Sequence, residues 1–369
     1  MNQSSLTTRL GEYISHVLPD AHGHQRKAVS DFVLALASVQ SCCQAALARF
    51  FDNFEAASKR LSRLLHNARL GAEELALAHA RALVARLPPG GPVRLSLDWT
   101  TEGSCHLLVA SVRVGGRALP LYWRAYHDAE LKARMSLYER EFVRALFERV
   151  LGSVARRRFV LTADRWFADV DLLDVLQELG VSYVIRTKSS YKVRVAEGWR
   201  RLGSLRFCGN QRRRAWGRVW YCEGDPRHVY LAQARARDRK GHWGVWHLLS
   251  NRPLSAHAMS REYARRFTCE EGFRDGKRLL GFAEARVRCL AAWARLFLLV
   301  AAALCVLTLI GCALLERHDC ARLLRRVRSR RNVRSELSLV RSVGELLKRG
   351  EDLWQLLNHQ CRLNLEAGL

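Results

Sequence analysis

Eleven cysteines stand among the 369 residues, and no two of them form a C-x-x-C pair. That absence argues against a zinc ribbon or a redox dithiol; Cys42-Cys43, Cys305 and Cys312 read instead as buried thiols. With no disulfide framework in view, a reducing cytoplasm is the expected compartment. The opening stretch, Met1-Asn-Gln-Ser-Ser-Leu-Thr-Thr-Arg-Leu, lacks the apolar core of a secretion signal. Acids are scarce as well: 35 Asp and Glu face 61 Lys and Arg, leaving a net charge of +26 and a pI near 10.5. Only 8 of those cations are lysines and 53 are arginines, so a coding bias toward Arg contributes. A surplus this large points to a polyanionic partner.

What is present is most specific between Tyr263 and Lys277, in Tyr263-Ala-Arg-Arg-Phe-Thr-Cys-Glu-Glu-Gly-Phe-Arg-Asp-Gly-Lys277. On a continuous helix each residue turns by about 100°, so Tyr263, Arg266, Glu270 and Lys277 share an arc of about 60°. Such a stripe can bind a metal ion through Glu270 and a phosphate backbone through Arg266 and Lys277. Glu271 would point about 100° away, so the spacing selects Glu270. The plainer alternative is a solvated charged face. Two upstream acids weigh against it.

Val93-Arg-Leu-Ser-Leu-Asp98 is a short apolar strand ending in an acid, and Arg158-Phe-Val-Leu-Thr-Ala-Asp164 is another. Between them, His106 to Val114 and Arg117 to Tyr126 flank Gly115-Gly116, which predicts a hairpin. Leu131 to Leu151 has helical apolar spacing, and a helix over about Phe167–Leu179 and a strand over Val181–Arg186 follow. The order β-β-β-α-β-α-β is that of a ribonuclease-H-like core, an α/β fold with a mixed sheet flanked by helices. An acid at one strand end is commonly a polar terminus; acids at two, with a third on a later helix, make a pattern.

These stretches resemble the DDE transposases of bacterial insertion sequences, in the group defined by a Y-(2)-R-(3)-E-(6)-K motif. Leu95 to Thr100, Gly116 to Trp123, Leu161 to Phe167 and Tyr263 to Lys277 carry the resemblance, and Ser58 to Asn67 is similar to the group's basic amino-terminal helix. The likeness runs from about residue 25 to 315. Many relatives have Gly or Glu where this chain has Trp166, a departure that leaves the carboxylate of Asp164 untouched. Phosphodiester attack needs a deprotonated nucleophile, a neutralised phosphate and a stabilised leaving oxygen. Two Mg²⁺ ions about 3.5–4 Å apart supply all three, with Mn²⁺ able to substitute, and carboxylates are the hard ligands they prefer. The resemblance implies that Asp98 bridges both ions, Asp164 binds one and Glu270 the other. It also implies that Tyr263, Arg266 and Lys277 steady DNA near the cut, including a base flipped from the stack.

The segment from Thr187 to Ser250 holds 15 Lys and Arg, 4 Asp and Glu, and five of the ten tryptophans. Basic residues among aromatics suit a nucleic-acid surface, although any one Trp is more commonly core. Trp243 is the first choice for stacking on a flipped base and Trp246 the second, by position before the motif. The expected organisation is a helical DNA-end-binding domain over 1–90, a first part of the catalytic core over 91–187 and a β-rich insertion over 188–250. A second core part with the motif helix spans 251–315, and a basic helical region spans 316–369, with Arg325-Arg326, Arg328 and Arg330-Arg331 close together. The plainer alternative for residues 1–90 is a helical cap on the catalytic core.

Leu296 to Leu315 runs 20 residues without a charge, long enough to cross a membrane. Its small residues and its place just after the motif favour a buried helix instead. The expectation is a cytoplasmic, nucleoid-associated transposase without a membrane role. It would act as a homodimer on double-stranded DNA, both element ends and target. The alternatives are a ribonuclease-H-like nuclease without strand transfer and a catalytically inactive DNA-binding relative.

Overall fold

Short apolar runs rich in β-branched and aromatic residues start at Val93, and in the computed structural model they become strands. The structure describes residues 3–114, 116–152, 154, 156–237, 241–327, 339–357 and 361–363. Gly115 of the expected hairpin turn and Arg328, Arg330 and Arg331 of the basic region lie outside the described residues.

Five helices come first: α1 (Gln3–Val17), α2 (Gly23–Val39), α3 (Gln44–Ala48), α4 (Phe54–His66) and α5 (Ala72–Val84). Strands β1 (Val93–Glu102), β2 (Cys105–Val114) and β3 (Arg117–His127) follow, then α6 (Asp128–Leu131) and α7 (Met135–Ala145). Next are β4 (Phe159–Ala163), α8 (Val170–Glu178) and β5 (Ser182–Thr187). Strands β6 (Lys192–Val195), β7 (Gly198–Arg201), β8 (Arg213–Tyr221), β9 (Arg227–Arg237) and β10 (Trp243–Ser250) precede α9 (Ala256–Ala264) and α10 (Phe267–Arg274). The chain continues through α11 (Leu290–Leu315), α12 (Cys320–Arg325) and α13 (Leu339–Lys348).

The strand order is β3-β2-β1-β4-β5-β10-β9-β8-β6-β7. β2 and β3 pair antiparallel, β1, β4 and β5 run parallel, and β10 lies antiparallel to both β5 and β9. This mixed α/β architecture is compatible with a ribonuclease-H-like transposase domain.

The chain divides into two units. One comprises Met1–Gly90, Thr100–His127 and Cys269–Leu369; the other comprises Gly91–Trp99 and Asp128–Thr268. In the first, α11 is long and apolar enough to cross a membrane, yet it is buried along nearly its whole length. Phe297 meets the edge of Trp123 at 5.1 Å, Phe282 stacks on Trp293 at 5.2 Å, and the hydroxyl of Tyr13 donates to Cys305 Sγ at 3.2 Å. Buried on all sides, such a helix needs no polar face. Its one charge, Arg295, donates to the carbonyls of Leu65 (2.8 Å) and Leu70 (2.6 Å). Those oxygens, at and just past the last turn of α4, would otherwise lack helical partners.

In the second unit, Phe147 packs edge-on against Phe159 at 5.7 Å. The buried hydroxyl of Tyr221 donates to the Ala168 carbonyl at 2.9 Å and lies 2.8 Å from Thr187 Oγ1. Tyr263 belongs to this unit's core, with Val184, Ala232, Leu248 and Met259.

α10 approaches β3 closely at Gly272, where an added Cβ would collide with the backbone carbonyl of Ala118. Backbone cannot yield as a flexible side chain can. Gly272→Ala is therefore expected to cost about 1–3 kcal/mol, as overpacking does. Urea unfolding of the two proteins checks this; equal midpoints would refute the close approach.

Candidate active site

The site is built on one register. β1 and β4 pair in parallel from Val93↔Phe159 to Leu97↔Ala163, so Asp98 and Asp164 each come one residue after the last matched pair. Neighbouring strands lie about 4.8 Å apart, and residues two apart share a face. Two positions earlier on that face, the hydroxyls of Ser96 and Thr162 are 3.3 Å apart, and Thr162 Oγ1 donates to the Leu95 carbonyl at 3.1 Å. Asp98, within β1, and Asp164, just past the end of β4, are thus the next positions along this matched pair of strands.

Each carboxylate is already oriented. Asp98 Oδ1 accepts from its neighbour's backbone, Trp99 N, at 3.0 Å, and Oδ2 accepts from Arg266 Nη1 at 2.9 Å. Asp164 Oδ1 accepts from Trp166 N at 2.8 Å. Hard oxygen donors on adjacent strands suit a divalent ion such as Mg²⁺ in their chemistry. Among the described residues, no group of three or more His, Cys, Asp or Glu is arranged to hold a metal.

A third carboxylate of this unit escaped the sequence reading. Glu139, buried on α7, accepts from Trp99 Nε1 at 2.7 Å. Burial pushes its pKa up from 4.5 to about 7; the Trp99 bond works against the rise, and the negative charges of Asp169 and Asp164 add to it. A signal was present. Glu139 precedes the buried Phe142, Val143 and Leu146 by three, four and seven residues, so an acid sits within an apolar stripe.

The Tyr263–Lys277 stretch is not one helix, which corrects the single-arc expectation. α9 ends at Ala264, Arg265 and Arg266 form a turn, α10 runs from Phe267 to Arg274, and a π-helical turn spans Asp275–Leu279. Local hydrogen bonds account for the first break. Thr268 returns both its hydroxyl (2.8 Å) and its N–H (3.2 Å) to the Arg265 carbonyl, and Arg266 N bonds to Tyr263 O at 3.0 Å. These three-residue closures replace the regular helical ladder.

The motif residues therefore occupy different settings. Tyr263 is 1% exposed, with Trp246 edge-on at 4.9 Å. The buried Arg266 guanidinium lies 5.7 Å from the Tyr263 ring and 5.5 Å from the Phe267 ring, within cation–π range. Two aromatic rings thus support the cation that holds Asp98. In the other unit, Glu270 is half-buried in the first turn of α10, while Glu271 forms ion pairs with Arg117 and Arg274. Lys277 donates to the Thr101 carbonyl at 2.7 Å and lies 3.8 Å from Glu102; burial lowers its pKa, and Glu102 opposes that fall.

The two candidate tryptophans differ because they are three residues apart on β10, and an odd separation sends side chains to opposite faces. Trp246 faces the Tyr263 cluster. Trp243 is 55% exposed, with the guanidinium carbons of Arg237 and Arg212 at 4.7 and 6.0 Å from its ring. Trp243, not its neighbour, is open to a partner, and Trp246 is the one beside Tyr263.

Compared with known families, residues 138–306 match the transposase DDE domain, a span that includes Glu139, Asp164 and Glu270. This match supports a DDE transposase, an enzyme class whose partner is DNA and which generally uses divalent metal ions. Comparison with curated proteins gives no match.

Glu139 yields a prediction with a definite sign. Because its folded pKa lies above its unfolded one, it stabilises the fold when protonated, and that contribution is lost as pH rises from about 4.5 to about 7. Glu139→Gln keeps an acceptor for Trp99 without the charge. Relative to the parent, the variant should gain about 1–3 kcal/mol between pH 4.5 and pH 8 in denaturant unfolding. A constant difference across that range would contradict the assignment.

Proposed function

We propose that this chain is a DDE transposase of the Y-(2)-R-(3)-E-(6)-K group, which cleaves the double-stranded ends of its own mobile element and joins the freed 3′-hydroxyl to target DNA. The occurrence of Asp98 and Asp164 one residue past the matched β1–β4 register carries this reading, and the match over 138–306 supports it. Asp98, Asp164 and Glu270 are the proposed ligands of two Mg²⁺ ions, or of Mn²⁺ in their place. Such ions, when bound, provide a nucleophile at neutral pH and neutralise charge on the phosphate and the leaving oxygen.

The residues of this chain supply the rest. Backbone N–H groups of Trp99 and Trp166 each hold one oxygen of the two aspartates. Arg266, which balances Asp98 in the absence of DNA, is placed to exchange that carboxylate for a phosphate oxygen, the bidentate partner guanidinium suits. Lys277 contributes a second phosphate contact. Trp243, exposed between two arginines, offers a face for a flipped base, and Tyr263 and Trp246 buttress Arg266 from behind. A homodimer on paired ends in the cytoplasmic nucleoid completes the proposal.

The test uses DNA carrying the inverted repeats that flank the gene, with Mg²⁺. Each of Asp98→Ala, Asp164→Ala and Glu270→Ala should abolish strand cleavage while end binding survives. Normal cleavage by Asp164→Ala would sink the assignment. Joined products in a target plasmid separate a transposase from a nuclease that only hydrolyses.

Arg266 separates grip from structure. If it contacts a phosphate, Arg266→Ala should lower the slope of log affinity against log salt by about 1. An unchanged slope would confine Arg266 to its partnership with Asp98.

A further inference from the structure

Two residues beyond Asp164, Trp166 stands out from the site with 62% of its surface exposed, the highest exposure among the large hydrophobic residues that face solvent. Its backbone N–H holds the Asp164 carboxylate, so the ring is tied to a proposed metal ligand by one short loop. The Lys188 ammonium sits 3.7 Å from the centroid of the indole. Lys188 is the first residue after β5, whose parallel pairing with β4 brings Ile185 beside Ala163. Asp164 and Lys188 thus directly follow the ends of two adjacent parallel strands, with Asp98 on the third, β1, one residue past its matched register with β4; open α/β sheets bind ligands at such carboxyl ends.

An indole that remains this exposed with an ammonium against it presents its other face to solvent. Arg165, also exposed, adds a second cation in the same loop. A large bare aromatic face costs solubility and gives the fold nothing in return. An aromatic face paired with cations matches one chemistry well: a nucleobase stacked on the ring, with its phosphate near the ammonium.

We infer that Trp166 and Lys188 form a binding platform for an unpaired nucleotide of the DNA strand adjacent to the phosphate held at Asp98 and Asp164. The platform deepens the DNA-cleaving function proposed above and rests on it for the identity of the polymer. It is separate from Trp243, which lies on β10 between Arg212 and Arg237. A fully paired duplex, whose bases are already stacked, gains little from such a surface. A frayed or unpaired end gains a stacking partner.

The experiment measures binding of the full chain in EDTA, so that it does not depend on cleavage. The probes are a duplex with a four-nucleotide deoxyadenosine extension, the same duplex with abasic residues in the extension, and the fully paired duplex. The parent protein should prefer the base-bearing extension over the abasic one by about tenfold, the scale of one stacked base. Trp166→Ala should erase that preference and leave affinity for the paired duplex unchanged, and Trp166→Phe should keep most of it. Lys188→Ala should lower the salt slope on the extended probe by about 1. No preference in the parent, or an undiminished one in Trp166→Ala, overturns the platform. Glu270→Ala should retain the preference, so loss of cleavage and loss of stacking are read apart: if the parent never cuts DNA but still selects bases through Trp166, only the catalytic reading fails.

Discussion

The parallel register of β1 on β4 is the constraint on which the site depends. Side chains on a strand alternate faces, so a slip of one residue would send Asp98 to the opposite face from Asp164. Burial of one face fixes the register: Leu95, Leu97, Leu161 and Ala163 are each no more than 1% exposed. The Ser96–Thr162 contact then fills the shared face with a pair that can satisfy each other's hydroxyls. Hydrophobic packing thus sets the position of two charges that contribute nothing to the packing themselves.

Those charges exist in a chain with a net charge of +26, where the usual burden is too much positive charge. Near the aspartates the balance is local. Arg266 offsets Asp98, and two aromatic rings disperse part of the guanidinium charge that burial would otherwise penalise. Arg295, deep in the other unit, is accommodated in another way, by carbonyls at the end of α4 rather than by an acid. In both cases the guanidinium's several donors let a buried cation reach partners in more than one direction, which a lysine's compact ammonium would do less readily.

Much of this was legible in the sequence because it rests on patterns that repeat. Apolar runs ending in Asp98 and Asp164 foretold β1 and β4, although β1 runs on past Asp98 to Glu102 and Asp164 follows the end of β4. The order β-β-β-α-β-α-β is observed with the short α6 added before α7. The charge-free run from Leu296 reads as a buried helix and lies in one. What escaped depends on particular hydrogen bonds and packing contacts that the apolar pattern does not carry. Nothing in the local pattern announces that Thr268 will claim the Arg265 carbonyl and break the motif helix, or that Tyr263 will face Met259 and Leu248 in a core. Trp243 and Trp246 looked alike until strand alternation separated them. Glu139 was visible as an anomaly in an apolar stripe, but its partner Trp99 lies 40 residues away.

Strand alternation also explains why Trp99 links two acids that do not touch. Asp98 points to the face it shares with Ser96, so the next side chain must point to the other, where α7 presents Glu139. Trp99 bonds Asp98 through its backbone N–H and Glu139 through its ring N–H. Losing the ring would leave a buried carboxyl without its donor, a larger penalty than the value of the bond itself. The strand would then lose an anchor one residue from Asp98. Burial brings the pKa of Glu139 to about 7. Each proton it takes up removes one negative charge from the neighbourhood of Asp164.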